Sequence, residues 1–169
     1  MCPTYCPLNV PYPPAEVEST NPCYARILSE DYAGRGGEMT AITQYFYQHV
    51  ITGECCPELS DALQKISIDE MRHLDLLGEL ICKLGCDPLL FNHNCGKNAY
   101  WCGCNVSPTK DVCRFLEENI EGERTAIEDY QKQICQIRDC CVRKVLERII
   151  IDEENHMQFF EQFLCCLCR

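Results

Sequence analysis

No apolar run in the 169-residue chain approaches the about 18 residues that a membrane span requires. Positive charge is scarce as well: 15 Lys and Arg stand against 26 Asp and Glu, for a net charge of -11. The basic face that a nucleic acid would need is therefore missing, and neither nucleic acid nor membrane is expected as a partner. The opening Met1-Cys2-Pro3-Thr4-Tyr5-Cys6 has neither a basic start nor an apolar block. No secretory signal is expected, and synthesis in the cytoplasm follows. Paired C-x-x-C knots of the zinc or rubredoxin kind are absent too, since the one C-x-x-C is Cys165 to Cys168.

Cysteine itself is abundant, with 17 residues. In a short exported chain that density would mean a disulfide scaffold. Here the apolar fraction of 46% is enough for an ordinary core without staples. The pairs Cys55-Cys56, Cys102-Gly103-Cys104 and Cys140-Cys141 fall at expected helix ends and in a connection. They are expected on the surface, where oxidation could cross-link copies of the chain.

Five of the nine prolines lie in residues 1–21, which read as an extended arm and not as a packed element. Asn21-Pro22 starts a helix with a cap and an N1 proline, and this helix is expected to reach about Ile51. Gly34-Arg35-Gly36-Gly37 interrupts it with poor helix formers, so a π-bulge or a close helix contact is expected just before Glu38. The turn at residues 52–57 returns the chain antiparallel. In the second helix Leu63, Ile66, Glu70, His73, Leu77, Leu80 and Leu84 form a heptad-like seam. Gly85 ends it. Residues 86–107 form a long crossover, and Ser107-Pro108 restarts a helix. The third seam is Leu116, Ile120, Glu123, Ile127, Tyr130, Ile134 and Ile137; after a turn near Asp139 the fourth is Val142, Leu146, Ile149, Glu153, His156 and Phe160. Two helix hairpins joined by a long crossover give an all-α, antiparallel four-helix bundle over residues 22–164. Residues 165–169 form a Cys-rich tail, expected to fray.

The two hairpins repeat one pattern. Glu38-Met39-Thr40-Ala41-Ile42-Thr43-Gln44-Tyr45 precedes Ile68-Asp69-Glu70-Met71-Arg72-His73. Glu123-Arg124-Thr125-Ala126-Ile127-Glu128-Asp129-Tyr130 precedes Ile151-Asp152-Glu153-Glu154-Asn155-His156. A Glu three residues before a His puts both side chains on one helix face. One E-x-x-H would be a solvated surface; two, each inside an apolar seam and each preceded by a seam Glu, are not. Four carboxylates cannot stay ionised in an apolar core unpaired, and the central turns of the second, third and fourth seams hold no Lys or Arg. Two divalent cations balance four negative charges. Manganese and iron both accept such a carboxylate-rich set.

These motifs resemble the ferritin-like superfamily. The first half is similar to bacterioferritin, and Gly37-Glu38-Met39 with the whole layout is similar to small manganese catalases, some of them found in spore coats. The resemblance spans about residues 22–163. It implies Glu38, Glu70, His73, Glu123, Glu153 and His156 as metal ligands and catalytic residues, with Glu70 and Glu153 as bridges. It also implies hydrogen peroxide or dioxygen as the small-molecule partner and a homo-oligomer, with a cysteine cross-linked coat as a setting. Catalase-like peroxide chemistry is the expected activity; iron oxidation and a structural coat role are the alternatives. Rubrerythrins carry a further Glu where this chain has Ala126. Met71 stands where bacterioferritins place a haem-ligating methionine; it is read as a surface or interface residue, and haem is not expected. Asp69 and Asp152 are expected outside the ligands, bonding His156 and His73 respectively. Tyr45 and Tyr130 either bond ligands or fill the core. His49 is read as an exposed or gate residue. His93 could share a surface metal with Cys95 but is not counted among the ligands.

Overall fold

The computed structural model describes residues 2–92 and 99–168. Its helices are α1 (Pro22–Ala33), α2 (Glu38–Thr52), α3 (Pro57–Lys83), α4 (Val112–Gln136) and α5 (Cys140–Leu167). α1 and α2 together form the first rod of a four-helix bundle, α2 packing on α3 and α4 on α5. A two-residue antiparallel ladder in the crossover pairs β1 (Phe91–Asn92) with β2 (Ala99–Tyr100). His93 and Cys95 lie outside the described residues.

Asn21 and Gly85 cap as the sequence implies, and Asp139, expected only as a turn, caps as well. Asn21 Oδ1 accepts from the Cys23 and Tyr24 amides at 3.1 and 3.3 Å. Asp139 Oδ1 accepts from Cys141 and Val142 at the start of α5, at 3.0 and 3.1 Å. Gly85, at φ 95°, closes α3. Its amide bonds the Cys82 carbonyl, and the Cys86 amide bonds Ile81, which is a Schellman closure that a left-handed residue makes possible.

Three boundaries differ from the sequence reading. The first helix does not run on to residue 51: it stops at Ala33 and restarts at Glu38. The chain doubles back so tightly that a Cβ on Gly37 would overlap the Asp31 carbonyl and one on Gly34 the Glu30 carbonyl, so backbone contact, not a π-bulge, explains these two glycines. α4 begins at Val112, capped by Asp111 Oδ1 on the Arg114 amide, and not at Ser107-Pro108. Ser107 instead exchanges two hydrogen bonds with the Gln44 side chain, which ties the crossover to α2. The tail is held and not frayed: α5 reaches Leu167, and disulfides Cys2–Cys166 and Cys113–Cys168 clasp it to the arm and to α4.

Apolar burial forms two clusters. One joins Leu77, Leu80, Ile81 and Leu84 to Val142, Val145, Leu146 and Ile149. The other joins Leu59, Leu63 and Ile66 to Phe115, Leu116, Phe159, Phe160 and Phe163. Every residue of the α3 and α5 seams is buried, and a polar layer of Glu and His interrupts both seams between the two clusters.

Candidate metal centre

Each bundle rod contributes to that layer. Glu38 opens α2, directly after the glycine break, Glu70 and His73 leave α3, Glu123 leaves α4, and Glu153 and His156 leave α5. All six are buried. They fall into two quartets: Glu38, Glu70, His73 and Glu153 offer ligand atoms within 4.8 Å of one another, and so do Glu70, Glu123, Glu153 and His156. Glu70 and Glu153 belong to both, which is the relationship a bridging carboxylate requires. His73 Nδ1 lies 2.8 Å from Glu70, 3.1 Å from Glu153 and 3.6 Å from Glu38. His156 Nδ1 lies 3.0 Å from Glu153, 3.1 Å from Glu70 and 3.8 Å from Glu123. The internal repeat thus folds into a near-twofold site.

Electrostatics divide the carboxyls into two kinds. Burial, then the charges of Glu70 and Glu153, hold Glu38 and Glu123 well above the usual carboxylate range. For Glu70 and Glu153 burial also opposes ionisation, but the flanking histidines outweigh it and both lie below that range. Burial disfavours charge on His73 and His156 as well; Glu153 and Glu70 overcome it, and both imidazoles are raised well above their ordinary value. Without metal, protons therefore balance the layer. The donor set fits divalent metals: four buried carboxyls and two imidazoles converge, while Glu70 Oε1 and His156 Nε2 have no hydrogen-bond partner. A cation would satisfy the Glu70 oxygen and replace the protons.

The surrounding contacts sharpen the sequence reading. Tyr45 on α2 donates to Glu123 Oε1 at 2.5 Å, and Tyr130 on α4 donates to Glu38. Each tyrosine holds the glutamate of the opposite hairpin. Asp152 Oδ2 reaches His73 Nε2 at 3.1 Å, as expected. Its counterpart does not close: Asp69 Oδ2 stands 3.9 Å from His156 Nε2 and accepts instead from Tyr5 at 2.9 Å. His49 is outside the site, bonded to Ser60 at the α2–α3 turn. Met71 is half exposed on the outer face of α3.

Sequence reasoning missed three residues. Arg148, 5% exposed, pairs with Asp152 Oδ2 at 2.7 Å, so the α5 side does hold a buried cation, one turn from the seam glutamate. Its i, i+4 spacing to Asp152 was the available signal. Tyr5 and Tyr12 come from the arm, which is extended yet packed: Tyr5 is 3% exposed, and Tyr12 donates to Asp152 Oδ2 at 2.5 Å. The proline count marked the arm as extended but could not show the surface on which it lies.

A cavity of about 300 Å³ opens between α1, α2 and α4 and reaches Glu38, Glu70, Glu123 and Glu153. Ala126 and Gly122 are among the residues that line it.

The ferritin-like domain family matches residues 35–166. A protein of Clostridium acetobutylicum named "Probable manganese catalase" is 28% identical over 170 residues, covering 88% of this chain and 73% of that protein. Bacterioferritin of Desulfovibrio desulfuricans is 29% identical over 141 residues, covering 81% and 73%. Among solved structures, the manganese catalase KatB from Anabaena superposes with a TM-score of 0.85 at 25% identity, over 98% of this chain and 82% of its own. The D. desulfuricans bacterioferritin, solved with its diiron site in different catalytic states, gives 0.71 at 26%, over 85% and 78%. With the family matched over most of its length and the bundle in place, this chain belongs to the ferritin-like domain family.

Proposed function

We propose that the chain is a dinuclear manganese or iron oxidoreductase that acts on hydrogen peroxide in a catalase-like reaction. The observation that carries this reading is the pair of quartets sharing Glu70 and Glu153 at the floor of a cavity open to small molecules. Two bound metals would supply redox cycling: one peroxide gives up two electrons and two protons and leaves as dioxygen, and a second takes them and leaves as two waters.

The chain's own residues do the rest. Glu38 and Glu123 would each hold one metal with its histidine, while Glu70 and Glu153 would hold both. The Tyr130 and Tyr45 hydroxyls fix the terminal glutamates, and both tyrosines line the cavity beside them. A reciprocal amide pair, Gln48 with Asn119 at 2.7 and 2.9 Å, bolts α2 to α4 one turn from Glu123. The apolar clusters close the layer on either side along the bundle, and the cavity is the described approach to it.

Catalase-like chemistry is favoured over iron oxidation by the extent of the likeness. The manganese catalase structure covers 98% of the chain, which leaves about three residues unmatched, fewer than the 21 of the arm. The bacterioferritin structure covers 85%. The likeness to the manganese catalase therefore extends into the arm, whose Tyr5 and Tyr12 touch Asp69 and Asp152. The test is an oxygen electrode: protein loaded with manganese or with iron should release dioxygen from peroxide. Iron oxidation with no dioxygen release would assign ferroxidase activity instead.

A further inference from the structure

The arm runs antiparallel to α5 along the α3–α5 side of the bundle. Cys2 is bonded to Cys166, the Cys6 carbonyl accepts from Asn155 at 3.3 Å, and the Val10 carbonyl accepts two hydrogen bonds from Arg148 at 3.2 and 2.8 Å. Further on, the Glu18 amide donates to Asp139 at 2.7 Å. Two tyrosines project from this strap toward the centre. Tyr5 meets Asp69, and Tyr12 meets Asp152, with its hydroxyl also 3.5 Å from His73 Nε2 and its ring 4.2 Å beneath the Arg148 guanidinium. Each half of the near-twofold site therefore carries a Tyr–Asp–His series that begins on the arm.

We propose that Tyr12 and Tyr5 are positioning residues for the metal centre, acting through Asp152 on His73 and through Asp69 on His156, and that the Cys2–Cys166 disulfide sets whether they are in place. The inference rests on the dinuclear reading above. An outer hydrogen bond to a ligating histidine fixes its ring, and such partners contribute strongly to metal retention. Tyr12 carries more of the effect, because its aspartate is bonded to the histidine while Asp69 stands 3.9 Å from His156.

The arm docks through contacts with the bundle and not through structure of its own. Among the described residues up to Ser19 it has no helix or strand of its own. Its covalent ties are the run into α1 at one end and the Cys2–Cys166 bond at the other, with the hydrogen bonds above between them. Its prolines narrow the conformations of the released arm, which favours redocking once the clasp closes. Closure is chemically balanced with a peroxide as oxidant: the two thiols give up two electrons and two protons, the S–S bond forms, and hydrogen peroxide leaves as two waters. A dithiol or phosphine reductant reverses it. The oxidant that the centre would consume would thus also lock the strap behind it.

The test is the rate at which a chelator strips metal from the manganese-loaded full chain, oxidised or reduced with a phosphine. Reduction is expected to speed release by about tenfold or more, the scale of lost outer-shell support. Cys2→Ser should be fast in both states, whereas Cys113→Ser should keep the slow and fast pair. Tyr12→Phe should be fast in both states while hydrogen exchange still shows a docked arm in the oxidised form. Equal rates in oxidised, reduced and Cys2→Ser protein overturn the proposal, as does loss of the effect in Cys113→Ser alone. If the chain holds no metal, the dinuclear reading fails, and two metal-free measurements still decide the strap. Reduction should raise hydrogen exchange over residues 2–18, and Tyr12→Phe should shift the His73 imidazole ¹⁵N signals; no change in either overturns it.

Discussion

His73 Nε2 lies 3.1 Å from Asp152 Oδ2, a hydrogen bond between α3 and α5, whereas the symmetry-related His156 and Asp69 stand 3.9 Å apart. The sequence repeat is close to symmetric; the folded site is not. Arg148 and Tyr12 both brace Asp152, while Asp69 has Tyr5 and only the exposed Arg72, at 3.6 Å. Asp152→Asn should therefore cost about 10–100-fold in metal affinity, and Asp69→Asn clearly less. Titration calorimetry with Mn²⁺ on both variants checks this. Equal losses would show that the asymmetry has no consequence for binding.

Metal should stabilise the fold through mass action. At a free concentration 100 times Kd the gain is about 2.7 kcal/mol per site, and for a domain of this size that raises Tm by about 5–10 °C. Removing the metal with a chelator should reverse the shift. Glu70→Ala, which takes a member from both quartets, should abolish it with little change in helicity. A Tm unmoved by Mn²⁺ and Fe²⁺ would argue against a resident metal.

Asp31 gives a pH-dependent prediction. Burial, reinforced by Asp129 and Glu30 and opposed by Gln133, pushes its carboxyl from 3.8 up to about 8. Between those values the folded chain keeps a proton that the unfolded chain has released. Stability therefore falls as pH rises through that window, by up to about 1.4 kcal/mol per pH unit, and the loss is complete above about 8. Asp31→Asn should flatten this part of the profile and raise stability at pH 9. Chemical denaturation of both proteins at pH 5, 7 and 9 measures it; parallel profiles would refute the assignment.

The cysteines outside the two disulfides are all exposed or half-buried among the described residues, in agreement with their expected place on the surface. We propose that the exposed ones on the helix ends and the crossover, such as Cys55, Cys102, Cys104 and Cys140, cross-link copies of the chain. Oxidised protein should then run as high-mass species on non-reducing gels and collapse to one band with reductant. Unchanged mass in both conditions would contradict cross-linking between copies.

What was legible in the sequence followed from period. The α3 seam from Leu63 to Leu84 steps by three and four without a break, and every one of its residues is buried, so helix, register and core face could be read together. Five of the six candidate ligands lay on such seams, and the repeat supplied Glu38 as the counterpart of Glu123. Contacts without a period stayed hidden. Nothing local says that Tyr12 crosses 140 positions to Asp152, or that Cys2 meets Cys166. Gly34 and Gly37 announced an interruption, but only the fold shows that the backbone of residues 30 and 31 fills the space beside them. Ser107-Pro108 had the form of a helix start, yet the Gln44 side chain competes for the Ser107 backbone, and the helix waits for Asp111.

The most direct test of the central claim is anomalous scattering from crystals grown with Mn²⁺. Two manganese peaks are expected in each chain, one between Glu38 and His73 and one between Glu123 and His156, with Glu70 and Glu153 reaching both. A single peak, or none between the quartets while the protein is folded, would contradict the claim.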